Sequence, residues 1–546
     1  MDKRWHVLEQ QVANSKRLTV ESVVDTLLKN RGVEDRETFF EPPKPEQLLA
    51  KLPRYFSDLN QNHLAKAVKR IKTAIRKKEK VVVWGDYDVD GISATAILWQ
   101  VLHDLGADVL PYIPDRFKEG YGLSVEGIKK LGSEGVGLVI TVDSGITARE
   151  AVDFANSIGV DVIVTDHHIK PKSLPKALAI VHSTKLCGAG VAWVLASQLV
   201  DSRRKLLSGL DLVAIATVAD IQPLLGANRA LAKHGFTVLE RLERPGLAAL
   251  VEVARLKRGS LGSYAAGWVL GPRINAVGRM RHGIEALRLL CTSDMTKARE
   301  LAHLLDSTNV QRRALTVDIF NHAKELVGEE GGLIVVYHDS WHEGVIGLVA
   351  GKLVEEYGQP AVVISKGKEF SKGSARSING LNIVETLRGY GEFLEDVGGH
   401  EAAAGFTVKT ENLEQLISGL REGTAEVISK LDPRPVLKID TELPLEDLTY
   451  DLVYELENFK PYGEGNPEPL FVTRGVSVLS ERVVGRNKQH LKLALTPGFE
   501  AMWFGAAKKG GLERGDTVSL VYTPEINRWN GKEKITLKIR DLKVRS

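Results

Sequence analysis

Three short apolar runs set the pattern of the first half of the chain: VVVWG at 81–85, LVITV at 138–142 and DVIVT at 161–165. Segments with helical spacing, such as ISATAILWQVLHDLG, separate them. Runs this short and this uniformly apolar read as strands buried on both faces, and their alternation with helices predicts a parallel, helix-covered sheet. A basic helical pattern from Asn60 to Lys80 leads into the first run, and a mixed leader broken by Pro42, Pro43 and Pro45 precedes it. Residues 226–330 carry long amphipathic stretches and read as a helical connector. A second α/β unit begins at LIVVYHD (333–339) and continues through AVVISKG (361–367). Beyond Lys430, DPRPV marks a linker, and GVSVLSERVVG, HLKLALT, TVSLVYTPEI and KITLKIRDLKV alternate polar and apolar positions as strands of a small β-barrel do. The fold class is multidomain α/β. The expected divisions are 1–50, 51–225, 226–330, 331–430 and 431–546, and cutting the chain at about residue 432 is expected to leave a folded remainder.

The length of 546 residues exceeds what one core supports, and 43% hydrophobic with 26% charged residues is ordinary globular composition. No run reaches the roughly 18 apolar residues of a membrane span, and MDKRWHVLEQ lacks a secretory core, so a cytoplasmic protein with no membrane partner is expected. Only Cys187 and Cys291 occur, too few for a disulfide framework or a four-thiolate zinc site. A net charge of +3 means that any nucleic-acid surface must be local.

Chemistry concentrates where the strands end. GDYDVDG places Asp86, Asp88 and Asp90 directly after the first run. Asp143 follows the second run, and Asp166, His167 and His168 close the third. A fourth apolar segment, DLVAIATVADIQPL, carries Asp220, whose burial without a partner would be costly. Alone, DxDxDG could be a calcium-type turn or a solvated acidic loop. Carboxylates gathered at one sheet edge, with imidazole and without thiolate, point instead to hard divalent ions. Mn²⁺ or Mg²⁺ is expected, as a pair of ions sharing a water, and phosphoester hydrolysis is the matching chemistry.

DYDVDG, VDSG, TDHH and TVAD, in this order, resemble the four motifs of the DHH phosphoesterase superfamily. The resemblance implies Asp88, Asp90, Asp143, His167 and Asp220 as metal ligands, with Asp86, Asp166 and His168 in catalytic or supporting roles. Spacing leaves open which histidine binds metal; the family favours His167, with His168 facing the phosphate and Asp166 orienting an imidazole.

Further motifs suit a phosphorylated strand. GPRINAVGRM sets Arg273 and Arg279 around Asn275 in a glycine-bounded stretch fit for phosphate contacts, although such arginines are often only solvated. LCGAGVAW allows close backbone approach to a ligand, or plain helix packing. WHEGVIGLVAGKL, KGSARS and VGGHEAAAGF resemble the DHHA1 domain. They offer Ser374, Arg376, Ser377, Gly399 and His400 as a phosphate clamp, the last two through a Gly-Gly-His turn, with His342 less clearly involved. FKPYGEGNPEPLF and the β-rich end resemble the OB-like domain of the RecJ family. There Arg482, Arg486, Lys488, Trp503, Lys508, Arg528 and Trp529 are candidate strand contacts, against the alternative that the tryptophans are core. This domain order implies a single-stranded-DNA-specific 5′→3′ exonuclease of repair and recombination that releases 5′-mononucleotides. It is expected to be a monomer that works with a single-strand-binding protein and a RecQ-type helicase. The competing readings are an oligoribonuclease or cyclic-dinucleotide phosphodiesterase of the same superfamily, and a non-catalytic single-strand-binding replication factor.

Overall fold

The computed structural model describes residues 3–9, 18–120, 122–200, 202, 207–328, 331–432, 434–529 and 531–544. The N-terminal strand β1 (Arg4–Glu9) joins a sheet whose other strands lie beyond residue 435. The apolar runs form β2 (Lys80–Trp84), β4 (Val136–Val142) and β5 (Asp161–Asp166), with β3 (Asp108–Tyr112) and β6 (Ala179–His182) at the edges. Their order is β3-β2-β4-β5-β6 and every pairing is parallel. Helices cover both faces, which is why β2, β4 and β5 could be uniformly apolar. The parallel sense brings the C-terminal ends of β2, β4 and β5 to one edge. The fourth apolar segment is not a strand. It is a helix, Leu210–Ala219, with Asp220 as its C-cap.

The chain divides into two units, with a boundary at Val436 beside DPRPV. The smaller unit contains β7 (Ile334–His338), β8 (Ala361–Ser365), β9 (Phe370–Arg376), β10 (Leu394–His400) and β11 (Ala403–Lys409) in the order β10-β11-β9-β8-β7. Its core joins Val362, Ile364, Phe406 and Val408 to Leu413, Leu416 and Leu420 of the Leu413–Ser429 helix. The connector contributes to both units, its Met295–Leu326 helix passing from one to the other.

In the larger unit, β12 (Val436–Glu442), β13 (Phe471–Val484), β14 (His490–Leu495), β15 (Phe499–Trp503), β16 (Thr517–Trp529) and β17 (Lys532–Val544) complete the sheet begun by β1. Pairing of β13 with β16 closes β13-β14-β15-β17-β16 into a barrel, as the alternating pattern predicts. The leader is part of this barrel's core. A reciprocal cap between Thr19 and Ser22 starts the Val20–Asn30 helix. That helix and Phe39 bury Val23, Val24, Leu27 and Leu28 against Leu443, Leu452, Phe459 and the barrel interior.

The barrel is also fastened to the parallel-sheet domain. Arg229, 1% exposed, donates to the carbonyls of Phe39 (2.7 Å), Phe459 (2.9 Å), Asn458 and Lys460 (both 3.1 Å). Its guanidinium lies 3.8 Å from the Phe39 ring centre, and burial pushes its pKa down to about 10. Asn466 of GEGNPEP gives its amide to the carbonyls of Phe459 and Pro461 and accepts from Arg31, which pairs with Asp440 at 2.9 Å. Leu224 N–H reaches Glu464 O at 2.7 Å. This part of FKPYGEGNPEPLF is therefore a joint that ties the barrel to residues far before position 432.

Two outcomes follow in denaturant melts. Arg229→Ala, which strips donors from buried carbonyls, should lower unfolding free energy by about 3 kcal/mol or more. Removal of residues 433–546 exposes Val23, Val24, Leu27, Leu28 and Phe39, at about 1.5–3 kcal/mol each, and should abolish cooperative unfolding of the remainder.

Candidate metal centre

The strand ends deliver carboxylates into a space from which water is largely excluded. Asp88 is the N-cap of the Val89–Asp104 helix, accepting from Asp90 N (2.9 Å) and Gly91 N (3.0 Å). This turn fits only because residue 91 has no side chain, since a Cβ there would lie 2.6 Å from Asp86 Cβ. Asp90 points from the helix's first turn to a second helix, Gly188–Ser197, whose N-terminal amides Gly188 N (2.6 Å) and Ala189 N (2.7 Å) hold its two oxygens. The packing reading of LCGAGVAW applies: Gly188 permits a close approach, since its Cβ would meet Asp143 at 2.5 Å, and its backbone N–H is given to the protein's own Asp90 carboxylate. Asp143 ends β4 in a left-handed conformation, φ 58°.

His167 faces this group with Nε2, at 3.1 Å from Asp143 Oδ1, 3.7 Å from Asp90 Oδ2 and 3.8 Å from Asp220 Oδ2. Gln222, which the sequence reading passed over, donates from Nε2 to Asp220 Oδ2 at 2.9 Å and lies 3.5 Å from His167 Nδ1. Its signal was only proximity to the TVAD motif. His168 turns elsewhere. Its Nδ1 meets Asp166 Oδ1 at 2.7 Å, while Ile146 N holds Asp166 Oδ2 at 2.8 Å. The orienting carboxylate thus serves His168, not His167. His182 braces the same turn through Nε2 to His168 O at 2.7 Å.

Charge is concentrated to an unusual degree. Burial, reinforced by Asp88, raises the Asp86 pKa well above the carboxylate range; burial with Asp220 and Asp88 does the same to Asp90, and burial with Asp90 and Asp88 to Asp143. Burial and Asp88 push Asp220 up to about 6. Burial opposes charge on His168, but Asp166, Asp220 and Asp90 outweigh it and raise its pKa to about 9. Asp166 is itself buried, yet hydrogen bonds and the His168 charge hold its pKa below the usual value.

Ligand atoms converge within 4.8 Å in three sets: Asp86, Asp88 and Asp143; Asp90, His167 and Asp220; and Asp143, His167 and His168. Buried Asp86 Oδ1 has no hydrogen-bond partner among the described residues. An orphaned carboxylate oxygen within a hard-oxygen donor set fits Mn²⁺ or Mg²⁺. The geometry places Asp86 among the potential ligands, beside the residues expected in that role.

The remaining predicted contacts fall in varied places. GPRINAVGRM forms a helix, Gly271–Met280. Asn275 Oδ1 accepts from Val89 N at 2.7 Å, so it caps the ligand-bearing helix. Arg273 Nη1 donates to Val269 O, and Arg279 Nη1 to Gly344 O. In the smaller unit, Ser374 and Arg376 lie together on β9. Gly347, at the start of the Ile346–Tyr357 helix, packs so closely that a Cβ would sit 2.9 Å from Ser374 Oγ and 3.3 Å from Arg376 Nη2. Burial lowers the pKa of Arg376, and no carboxylate pairs with it among the described residues. Ser377 Oγ donates to Leu381 O at 2.6 Å and shapes the turn after β9. Gly399 and His400 are not in a turn. They end β10, an edge strand, opposite Ala404 and Ala403, and the turn itself is Glu401–Ala402. His400 is exposed, and His342 Nδ1 accepts from Gly344 N.

On the barrel, Arg482, Arg486, Lys488 and Lys508 are exposed, while Arg528 is paired with Glu533 at 2.8 Å. Trp503 is buried core, and the Trp529 side chain lies outside the described residues. Phe504, which sequence reasoning missed, is exposed, with its ring centre 5.2 Å from that of His490.

Family models agree with this anatomy: the DHH family N-terminal domain matches residues 80–217, the DHHA1 domain 330–425 and the RecJ OB domain 439–541. The single-stranded-DNA-specific exonuclease RecJ of Bacillus subtilis is 35% identical over 565 residues, covering 99% of this chain and 71% of that protein. The Escherichia coli protein of the same name is 32% identical, covering 87% and 89%. Among solved structures, RecJ of Thermus thermophilus in complex with Mn²⁺ superposes with a TM-score of 0.84 at 31% identity, covering 99% of this chain and 79% of that one. A Mg²⁺ complex of the same protein matches at 0.77. With its motifs, its domain order and its similarity to these proteins over almost its whole length, the chain belongs to the RecJ family of single-stranded-DNA-specific exonucleases.

Proposed function

We propose that this chain degrades single-stranded DNA from the 5′ end, hydrolysing phosphodiester bonds to release 5′-mononucleotides. The observation that carries this reading is that Asp86, Asp88, Asp90, Asp143, His167 and Asp220 supply adjoining sets of converging ligand atoms where β2, β4, β5 and the Leu210–Ala219 helix end, in a chain whose relatives are named for that activity. These six residues would hold Mn²⁺ or Mg²⁺, which when bound supplies Lewis acidity toward the phosphate and a more acidic water.

The protein's own groups divide the remaining work. Helix-terminal amides fix Asp90, and Asn275 fixes the start of the helix that carries it. His168, oriented through Nδ1 by Asp166 and with its pKa raised by that carboxylate, offers a hydrogen bond or a proton to a phosphate oxygen as the P–O bond breaks. Ser374, Arg376 and the amides at the start of the Ile346–Tyr357 helix suit a strand phosphate, since Arg376 is desolvated and uncommitted to any carboxylate among the described residues. The exposed cations of the barrel suit the single strand beyond. In this reading the enzyme is a cytoplasmic monomer acting in repair and recombination, supplied with strands by a RecQ-type helicase and a single-strand-binding protein.

End-labelled oligonucleotides, single- and double-stranded, with and without Mn²⁺, test the reading directly. Asp90→Ala and Asp143→Ala should each lower turnover on the single strand by about a thousandfold or more while strand binding persists. Near-parental turnover in Mn²⁺ would refute the ligand assignment. Arg376→Ala and His400→Ala should lower kcat/KM on short 5′-phosphorylated strands by roughly ten- to a hundredfold with Mn²⁺ affinity unchanged. Parental efficiency in both variants would remove the clamp.

A further inference from the structure

Four large apolar side chains stand out as the most exposed among the described residues: Trp268 (75%), Tyr264 (72%), Ile169 (71%) and Ile221 (69%). They are not scattered. Ile169 directly follows His168, and Ile221 directly follows Asp220, with a left-handed φ of 57°. Tyr264 immediately precedes, and Trp268 lies within, a single π turn, Ala265–Leu270, a local geometry that recurs at functional sites.

The turn is anchored beside the metal centre from two directions. Gly267 and Gly271 pack on the end of the Leu210–Ala219 helix, where added Cβ atoms would sit 3.2 Å from Val218 Cγ1 and 3.4 Å from Ala219 Cβ. The next residue of that helix is Asp220. The following Gly271–Met280 helix sends Asn275 to cap the helix that carries Asp90. The side chains of Tyr264 and Trp268 make no hydrogen bond, ring contact or cation–π contact among the described residues. Two aromatic faces left in water next to a phosphate-directed site call for a flat apolar ligand attached to phosphate, and an unpaired nucleobase has that chemistry.

We propose that Tyr264 and Trp268 form a stacking platform for unpaired bases adjoining the phosphodiester at the metal centre, with Ile221 and Ile169 completing its apolar rim. The proposal rests on the exonuclease reading and adds how bases, rather than backbone, are gripped. It also gives a physical reason to prefer single strands: paired bases are stacked within a duplex and have no free face to offer.

The test uses the full chain in Mn²⁺ with 5′-phosphorylated oligonucleotides. Trp268→Ala and Tyr264→Ala should each raise KM by roughly tenfold or more, with kcat within about twofold, and Trp268→Phe should recover most of the loss. Both side chains are exposed, so melting temperatures should match the parent. A single abasic site walked along the strand should cancel the Trp268→Ala penalty at one position and leave it intact elsewhere. Unchanged KM in both alanine variants, or an equal penalty at every abasic position, would overturn the platform. Failure of the parent to degrade the intact oligonucleotide would overturn the exonuclease reading, and the platform with it.

Discussion

Carboxylates that repel one another are buried together at the ends of parallel strands, and the surrounding architecture is arranged to tolerate this. Asp86, Asp90 and Asp143 are almost fully enclosed, and burial, reinforced by neighbouring carboxylates of which Asp88 acts on all three, raises their pKa values. Backbone amides answer part of the charge: Gly188 and Ala189 on Asp90, Ile146 on Asp166, and the first turn of the Val89–Asp104 helix on Asp88. Those amides reach their targets because Gly91 and Gly188 lack side chains that would collide with Asp86 and Asp143. The charge that remains unanswered is what a pair of divalent ions would neutralise.

The larger unit follows from a second constraint. A guanidinium buried among carbonyls cannot shed its charge, so Arg229 holds four acceptors from two stretches of chain in one geometry. Together with the Arg31–Asp440–Asn466 network, it makes the N-terminal helices, the parallel-sheet domain and the barrel mutually dependent. Within this unit the aromatic platform, the metal centre and the barrel face share one scaffold.

Sequence patterning reveals much of this because the relevant signals are local. A strand buried on both faces is continuously apolar, so β2, β4 and β5 are visible, and the carboxylates at their ends stand out against that background. Alternation likewise marks β13 through β17. What escapes notice is set by distant partners. Nothing near Arg229 announces that four carbonyls enclose it, and nothing in the leader shows that Val23 and Leu27 belong to a barrel core completed past residue 436. Asn275 looks like a phosphate contact until Val89 N is seen to occupy it. Gly399 and His400 suggest a turn by composition, but pairing with β11 draws them into a strand and moves the turn to Glu401–Ala402. Apolar character alone could not distinguish the Leu210–Ala219 helix from a strand.

The carboxylate cluster is built for divalent cations. For the metal-free chain the linkage sign is clear: carboxyl pKa values raised above the unfolded value of about 3.9 mean that stability falls as pH rises through the folded values, about 6 for Asp220 and well above the usual range for Asp86, Asp90 and Asp143. Calorimetric melting with and without Mn²⁺ at pH 5.5 and pH 8 reads this directly. Saturable stabilisation by two ions per chain is expected, on the order of 2.7 kcal/mol per site at a hundred times Kd, and at one fixed Mn²⁺ concentration it should be larger at pH 8 than at pH 5.5. A melting temperature indifferent to Mn²⁺ at both pH values would contradict it.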